Sequence, residues 1–307
     1  MKVMVADKIA SDGIKKLQAS GFEVLSVWDE PKEKLPQLIK DCDALIVRSA
    51  TKATKELMDA APNLKVIGRA GVGLDNVDAA HAKTRNIKVV NTPGATSISV
   101  AELALGLMFA VSRKIGFADR GTRKGEWPKK GCEGIEIHGK TVGVIGIGKI
   151  GRETAKRVKA LGARAYYYDV IRPSANDELE LGIEFRDLDG LLAISDIVSI
   201  HVPMTPETKN LLGKDRIAKM KKGAILVNTS RGGIVDETAL YEALKSGMLY
   251  GAGLDVFEQE PLKSSPLAEL DCVVMTPHVG AQTAEGQKRA GVEVAELVIK
   301  ELNALKK

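Results

Sequence analysis

The chain has 307 residues, of which 44% are hydrophobic, 28% charged and 4% aromatic. That is the composition of an ordinary globular protein, and the length exceeds the roughly 100–200 residues of one compact domain, so two domains are expected. The 45 Lys and Arg against 40 Asp and Glu leave a charge of +5 without long basic blocks, and Trp28 and Trp127 stand far apart. Nucleic acid is therefore disfavoured as a partner, because it calls for basic stripes with stacking aromatics.

The opening run MKVMVADKIASDG lacks a secretory apolar region, and no apolar stretch approaches the ~18 residues of a membrane span. A cytoplasmic protein with no membrane partner is expected. Cys42, Cys132 and Cys272 show no CxxC spacing, which suggests neither a disulfide framework nor a metal site.

In chain order, strand-like runs alternate with helical patterns: KVMVA (2–6), a helix near 11–20, FEVLSV (22–27), a helix near 31–40, and ALIV (44–47). LKVIG (64–68), a helix near 78–85 and IKVVN (87–91) continue the rhythm. Such alternation predicts a parallel sheet covered by helices on both faces. After Thr92-Pro93-Gly94 a single long helix is expected from Ser99 to about Thr122. Leu103, Leu107, Val111 and Ile115 lie along it at near-helical spacing, as a dimer seam or as a buried core face.

A second series runs through TVGVIG (141–146), a helix to Leu161, ARAYYYD (163–169), DIVSI (196–200), GAILVN (223–228), LYGAGLDV (249–256) and CVVMT (272–276). One amphipathic helix is expected from Thr283 to Lys307. The prediction is an α/β protein of two doubly wound parallel-sheet domains, residues 1–93 with 284–307 and residues 94–283, with a ligand in the crevice between them.

Gly146-Ile147-Gly148-Lys149-Ile150-Gly151 matches GxGxxG directly after a strand and at the start of a helix. That context places bare backbone N–H groups and the positive helix end at a pyrophosphate. Gly146 permits the tight turn, Gly148 the approach of the phosphates, and Gly151 close packing of helix on sheet. Asp169, eighteen residues beyond Gly151, can accept from both ribose hydroxyls and would repel a 2′-phosphate, so NAD is the expected cofactor. The alternatives are a nucleotide-free turn or another adenosine ligand.

Of His81, His138, His201 and His278, only His278 follows an apolar strand and Pro277 at a parallel strand's carboxyl end, where ligands bind. A histidine there can serve as base for a hydroxyl and as acid for an alkoxide. Arg231, after GAILVN, suits a substrate carboxylate, and Glu260 is the candidate partner of the imidazole. Each has a bland reading as a turn or surface residue. His201 and His138 read as structural and His81 as part of an exposed helix face.

The motifs GRAGVGLDNVD (68–78), GKTVGVIGIGKIGRE (139–153), VNTSRGGIVDE (227–237), LDVFEQEP (254–261) and TPHVGAQT (276–283) resemble the D-isomer-specific 2-hydroxyacid dehydrogenase family over essentially the whole chain. The resemblance implies a Rossmann NAD domain plus a flavodoxin-like substrate domain, a small anionic 2-hydroxy or 2-oxo acid as substrate, and a homodimer. It implies Arg231 as carboxylate binder, Glu260 as partner of the histidine and His278 as proton donor and acceptor. It also implies NAD contacts at Val72, Lys149, Ile150, Asp169, Val202, Thr229, Ser230, Arg231, Asp255, His278 and Gly280, and substrate contacts at Gly71, Val72 and Gly73.

Ile46-Val47-Arg48-Ser49-Ala50-Thr51 resembles the segment facing the substrate phosphate in the phosphoglycerate dehydrogenase branch, with Arg48 as the cation. The alternative is a solvated Arg48 and an unphosphorylated substrate such as glyoxylate or hydroxypyruvate. Lys129 and Lys130 stand where that branch places basic residues, commonly arginine, that reach a neighbouring subunit's site. No seat for the serine-binding regulatory domain of many such enzymes is expected in the sequence up to Lys307. A non-enzymatic NAD-sensing protein is the rival from another class.

Overall fold

The computed structural model describes residues 1–305. Two compact units are formed, Met1–Ser97 with Ala281–Lys307, and Ile98–Gly280. The divisions lie at 97/98 and 280/281 instead of 93/94 and 283/284. Thr92-Pro93-Gly94 belongs to the first unit, where Arg289 Nε donates to the carbonyl of Ala95 at 2.8 Å.

The first unit holds five strands: β1 (Lys2–Val5), β2 (Glu23–Ser26), β3 (Ala44–Val47), β4 (Val66–Arg69) and β5 (Lys88–Asn91). All pair in parallel in the order β2-β1-β3-β4-β5, the flavodoxin-like order. Because side chains alternate along a strand, Val3, Val5, Ala44 and Ile46 enter one core with Leu17, Val294 and Val298. Met4, Leu45 and Val47 enter the opposite core with Leu57 and Met58. Both faces of the sheet are covered, which is why ALIV at β3 is apolar throughout. The stretch 31–40 forms only a 3₁₀ turn (Lys32–Lys34) and a short helix (Leu35–Leu38), with Pro36 in its first turn.

The last described helix, Ala284–Ala304, starts where the Thr283 side chain accepts the N–H of Gly286 at 3.0 Å. The predicted helical positions 306 and 307 lie outside the described residues. The helix crosses Ser11–Ala19 at glycines: a Cβ on Gly13 would run into the carbonyl of Gly291. Gly68 of β4 likewise faces Val294 and Val298, which a Cβ would meet at 2.8 and 2.7 Å.

The second unit holds β6 (Thr141–Ile145), β7 (Arg164–Tyr168), β8 (Glu184–Phe185), β9 (Ile197–Ile200), β10 (Ile225–Asn228), β11 (Gly251–Leu254) and β12 (Val273–Met275). They pair in parallel in the order β12-β11-β10-β9-β6-β7-β8. This is the doubly wound dinucleotide order with one strand added, and its direction reverses between β6 and β9. At two residues, β8 is too short to show a period in the sequence.

The long helix expected over 99–122 is two helices, Ser97–Ser112 and Ile115–Arg123, separated at Lys114, whose φ of 52° is left-handed. Leu107 and Val111 are buried against Gly253 and Gly251 of β11, so these two seam candidates are core. Ile115 is 50% exposed. Among the described residues no helix is long and apolar enough to cross a membrane.

The glycine crossing in the first unit should be sensitive. Gly13→Ala is expected to destabilise the protein by about 1–3 kcal/mol in urea titrations, because the obstructing atom is backbone. An unchanged midpoint would contradict the close packing.

Candidate active site

In a doubly wound sheet the ligand side is the carboxyl edge of the strands. The candidate residues of the second unit lie on loops leaving that edge, apart from Lys149, Ile150 and Gly151, which open the helix Lys149–Ala160. At the reversal between β6 and β9, Gly146 has φ 93°, and a Cβ there would collide with His201 and Val202 at 2.8 Å. Gly151 lies so close to the carbonyl of Gly146 that only glycine fits. Over Gly148 there is open space, and it stands at the start of the helix Lys149–Ala160, whose first N–H groups lack intrahelical acceptors. An open glycine, bare N–H groups and a positive helix end fit a pyrophosphate.

Asp169, just beyond β7, accepts the N–H of Ile147 at 2.7 Å and of Ile171 at 3.0 Å. The carboxylate is thereby locked beside the glycine turn. Just beyond β10 the Thr229 hydroxyl is buried with no hydrogen-bond partner among the described residues, so it is available to a ligand. These features fit a dinucleotide.

His278 is held by the loop after β12. Its own φ is 53°, a conformation that costs a histidine energy. Its N–H donates to the carbonyl of Asp255 at 2.8 Å. The Asp255 carboxylate, 1% exposed, accepts from Thr276 Oγ1 (2.6 Å), the N–H of Val279 (2.8 Å) and the N–H of Gly280 (2.8 Å). Asp255, expected as a cofactor contact, is thus the anchor of the histidine loop.

Glu260 Oε2 lies 2.7 Å from His278 Nδ1, and its Oε1 accepts the N–H of Phe257 at 3.1 Å. Burial alone would raise this carboxyl, but the hydrogen bonds from His278 and Phe257, with the nearby Arg231 charge, bring it below the ordinary range. An ionised Glu260 makes Nδ1 the donor in neutral His278, so Nε2 carries the lone pair that can take a proton. Phe257, Leu262, Met275 and Pro277 line a cavity of about 560 Å³ with the dyad.

Arg231 is placed by a residue absent from the sequence candidates. Asn228, 2% exposed at the end of β10, donates to the carbonyl of Arg231 at 3.0 Å and accepts from the N–H and hydroxyl of Ser230 at 3.0 and 2.7 Å. Ser230, expected at the cofactor, has its hydroxyl engaged in this turn. A second tie joins this loop to the one bearing Glu260: Glu258 accepts the N–H of Glu237 at 3.3 Å, and Glu237 accepts the N–H of Glu258 at 2.6 Å. A strand-ending Asn before Ser-Arg-Gly-Gly was the available signal for the first.

In the first unit, Arg48 follows β3 and Gly71-Val72-Gly73 follows β4. Asn91 Nδ2 donates to the carbonyl of Val72 at 2.6 Å, which fixes that turn. Among the described residues the Arg48 guanidinium meets only neutral acceptors: the carbonyl of Lys8 and Gln287 Oε1 at 3.4 Å, and Gln282 Oε1 at 3.3 Å.

The other histidines separate cleanly. His201 shares a 2.9 Å contact with Ser199, and burial pushes its pKa down to about 3, so it stays neutral. His81, expected on an exposed face, is only 17% exposed and pairs with Asp59 at 2.7 Å. Lys129 and Lys130 stand exposed on a 3₁₀ turn of the second unit, next to Trp127, which is 82% exposed.

A parallel sheet of this order, with a glycine turn at its reversal and a His–Glu dyad on its carboxyl edge, is the framework of a dinucleotide-dependent oxidoreductase. Residues 105–280 match the family described as "D-isomer specific 2-hydroxyacid dehydrogenase, NAD binding domain". The chain belongs to that family, and its cofactor is NAD.

Among its relatives, D-3-phosphoglycerate dehydrogenase of Methanocaldococcus jannaschii is 49% identical over 98% of this chain and 57% of its own length. Hydroxypyruvate reductase of Thermotoga maritima is 51% identical over 91% of the chain and 92% of its own. The crystal structure of the TT0316 protein from Thermus thermophilus superposes with a TM-score of 0.88 at 36% identity, covering 99% of this chain and 97% of that one. The chain thus spans little more than half of the phosphoglycerate dehydrogenase it matches.

If Glu260 sets the tautomer of His278, Glu260→Gln should lower kcat by on the order of tenfold to a hundredfold with little change in NADH binding. Unaltered kcat would separate the glutamate from proton transfer.

Proposed function

We propose that the chain catalyses the NAD-dependent oxidation of D-3-phosphoglycerate to 3-phosphohydroxypyruvate, the entry to serine biosynthesis. The observation that carries this reading is Arg48: at the carboxyl end of β3, its guanidinium is met only by neutral oxygens. Among the described residues no carboxylate pairs with it. Such a cation suits the dianionic phosphate of the substrate.

In this mechanism the bound nicotinamide supplies the acceptor for the hydride that leaves C2. His278 Nε2 removes the hydroxyl proton, and Glu260, across Nδ1, stabilises the resulting imidazolium. On the second unit Arg231 is assigned to the substrate carboxylate; on the first unit the backbone N–H groups of the Gly71-Val72-Gly73 turn are assigned to the substrate. In the reverse direction the imidazolium returns its proton to the alkoxide. Val72, Gly146, Gly148, Lys149, Ile150, Gly151, Asp169, Val202, Thr229, Ser230, Asp255 and Gly280 are assigned to the cofactor. A homodimer, with Lys129 and Lys130 directed to the neighbouring site, completes the proposal.

A second reading, reduction of an unphosphorylated 2-oxo acid, is favoured by the 51% identity to the Thermotoga hydroxypyruvate reductase. An NAD-sensing protein without activity is disfavoured by the intact His–Glu dyad.

Steady-state rates decide between them. Arg48→Ala should raise KM for 3-phosphoglycerate at least about tenfold while leaving that for D-glycerate within about twofold, whereas His278→Ala should lower kcat for both by about 10²-fold or more. Equal kcat/KM of the parent chain for the two substrates would remove the phosphate assignment.

A further inference from the structure

We propose that Asp7, with Asn76, is a positioning residue that holds Arg48 for the substrate phosphate and so sets the preference for phosphorylated over unphosphorylated hydroxy acids. The inference rests on the reading of Arg48 given above.

Asp7 lies just beyond β1 and is only 5% exposed. Its Oδ2 accepts the backbone N–H of Arg48 at 2.6 Å and of Thr51 at 3.0 Å. Its Oδ1 accepts the Thr51 hydroxyl at 2.6 Å and Lys32 Nζ at 3.2 Å. From the other side, Asn76 Nδ2 donates to the carbonyls of the same two residues, Arg48 at 2.8 Å and Thr51 at 2.6 Å. One carboxylate and one amide therefore grip both ends of the 48–51 loop.

The arrangement fixes the base of the Arg48 side chain without touching its charge. Asp7 bonds the peptide N–H of Arg48, not the guanidinium, and its own charge is balanced by Lys32. Burial would raise the Asp7 carboxyl, yet the hydrogen bonds from Thr51, Arg48 and Lys32 hold it below the ordinary range. The carboxylate thus stays ionised and satisfied. At its tip the guanidinium makes only long contacts, 3.3–3.4 Å, to neutral oxygens, which an anion can replace.

A tie that served only to stabilise the loop would affect all substrates alike. One that works through Arg48 makes a difference only where Arg48 does, so a double-mutant cycle separates the two. Kinetics would be measured for Asp7→Ala, Asn76→Ala, Arg48→Ala and the double variant Asp7→Ala/Arg48→Ala, with 3-phosphoglycerate and D-glycerate.

Asp7→Ala is expected to lower kcat/KM for 3-phosphoglycerate about tenfold, through KM, because a misplaced binding group loses its alignment. The same change should alter D-glycerate by less than about twofold and add less than about twofold to Arg48→Ala. Equal losses with both substrates, or full additivity with Arg48→Ala, would overturn the inference. Should Asp7→Ala fail to fold by circular dichroism, Asn76→Ala, alone and combined with Arg48→Ala, carries the same criteria. If Arg48→Ala itself leaves the preference unchanged, the reading of Arg48 as the phosphate site falls first, an outcome distinct from loss in Arg48→Ala with none in Asp7→Ala.

Discussion

The carboxylate of Asp255, sealed from solvent and filled by Thr276, Val279 and Gly280, is the contact on which the geometry of the second unit turns. A loop leaving a parallel strand carries N–H groups that no neighbouring strand can accept, and a buried carboxylate is the strongest neutral-pH acceptor available to them. Asp255 uses that need to force His278 into a left-handed conformation, and the ring is then delivered to Glu260. Asp169, partly exposed, ties down the glycine turn by accepting backbone N–H groups, as the buried Asp7 does for the 48–51 loop. Three strand ends are thus organised by one device.

The charges that remain once these internal partnerships are made are instructive. Glu260 is ionised and faces an imidazole, so the second unit offers a proton acceptor whose protonated form is stabilised. Arg48 keeps a cation that no carboxylate among the described residues balances. In the proposed function, acid–base chemistry and anion recognition are in this way assigned to separate side chains, each on a segment that leaves a parallel sheet.

Much of the architecture was legible because parallel strands buried on both faces read as short apolar runs, as ALIV and ILVN do. The glycine turn and the dyad were legible because backbone geometry and proton chemistry admit few residue types. What escaped was whatever a tertiary contact decides. The helix over 97–123 breaks at Lys114 although its local pattern is continuous. Leu107 and Val111 could have been seam or core until Gly253 and Gly251 were found opposite them. Asn228, Asn76 and Asn91 are unremarkable in the sequence, since a side-chain amide becomes a loop clamp only when the carbonyls of Arg231, Arg48 and Val72 are brought to it. The hold of the Asp255 carboxylate on Thr276, Val279 and Gly280 was equally hidden, because it too is made by a tertiary contact.

The glycine crossing of Ser11–Ala19 with Ala284–Ala304 also bears on how the protein is made. Val294, Ala295, Val298 and Leu302 complete a core whose other members, Val3, Val5, Leu17 and Ile46, are synthesised first. During translation the second unit emerges with all its strands in one stretch and can condense as soon as β12 is out. The earlier strands must meanwhile wait with one apolar face uncovered, since the helix that covers them follows the whole second unit in the chain. The strands made first are therefore the later to mature, and their unsealed face is the natural point for chaperone engagement.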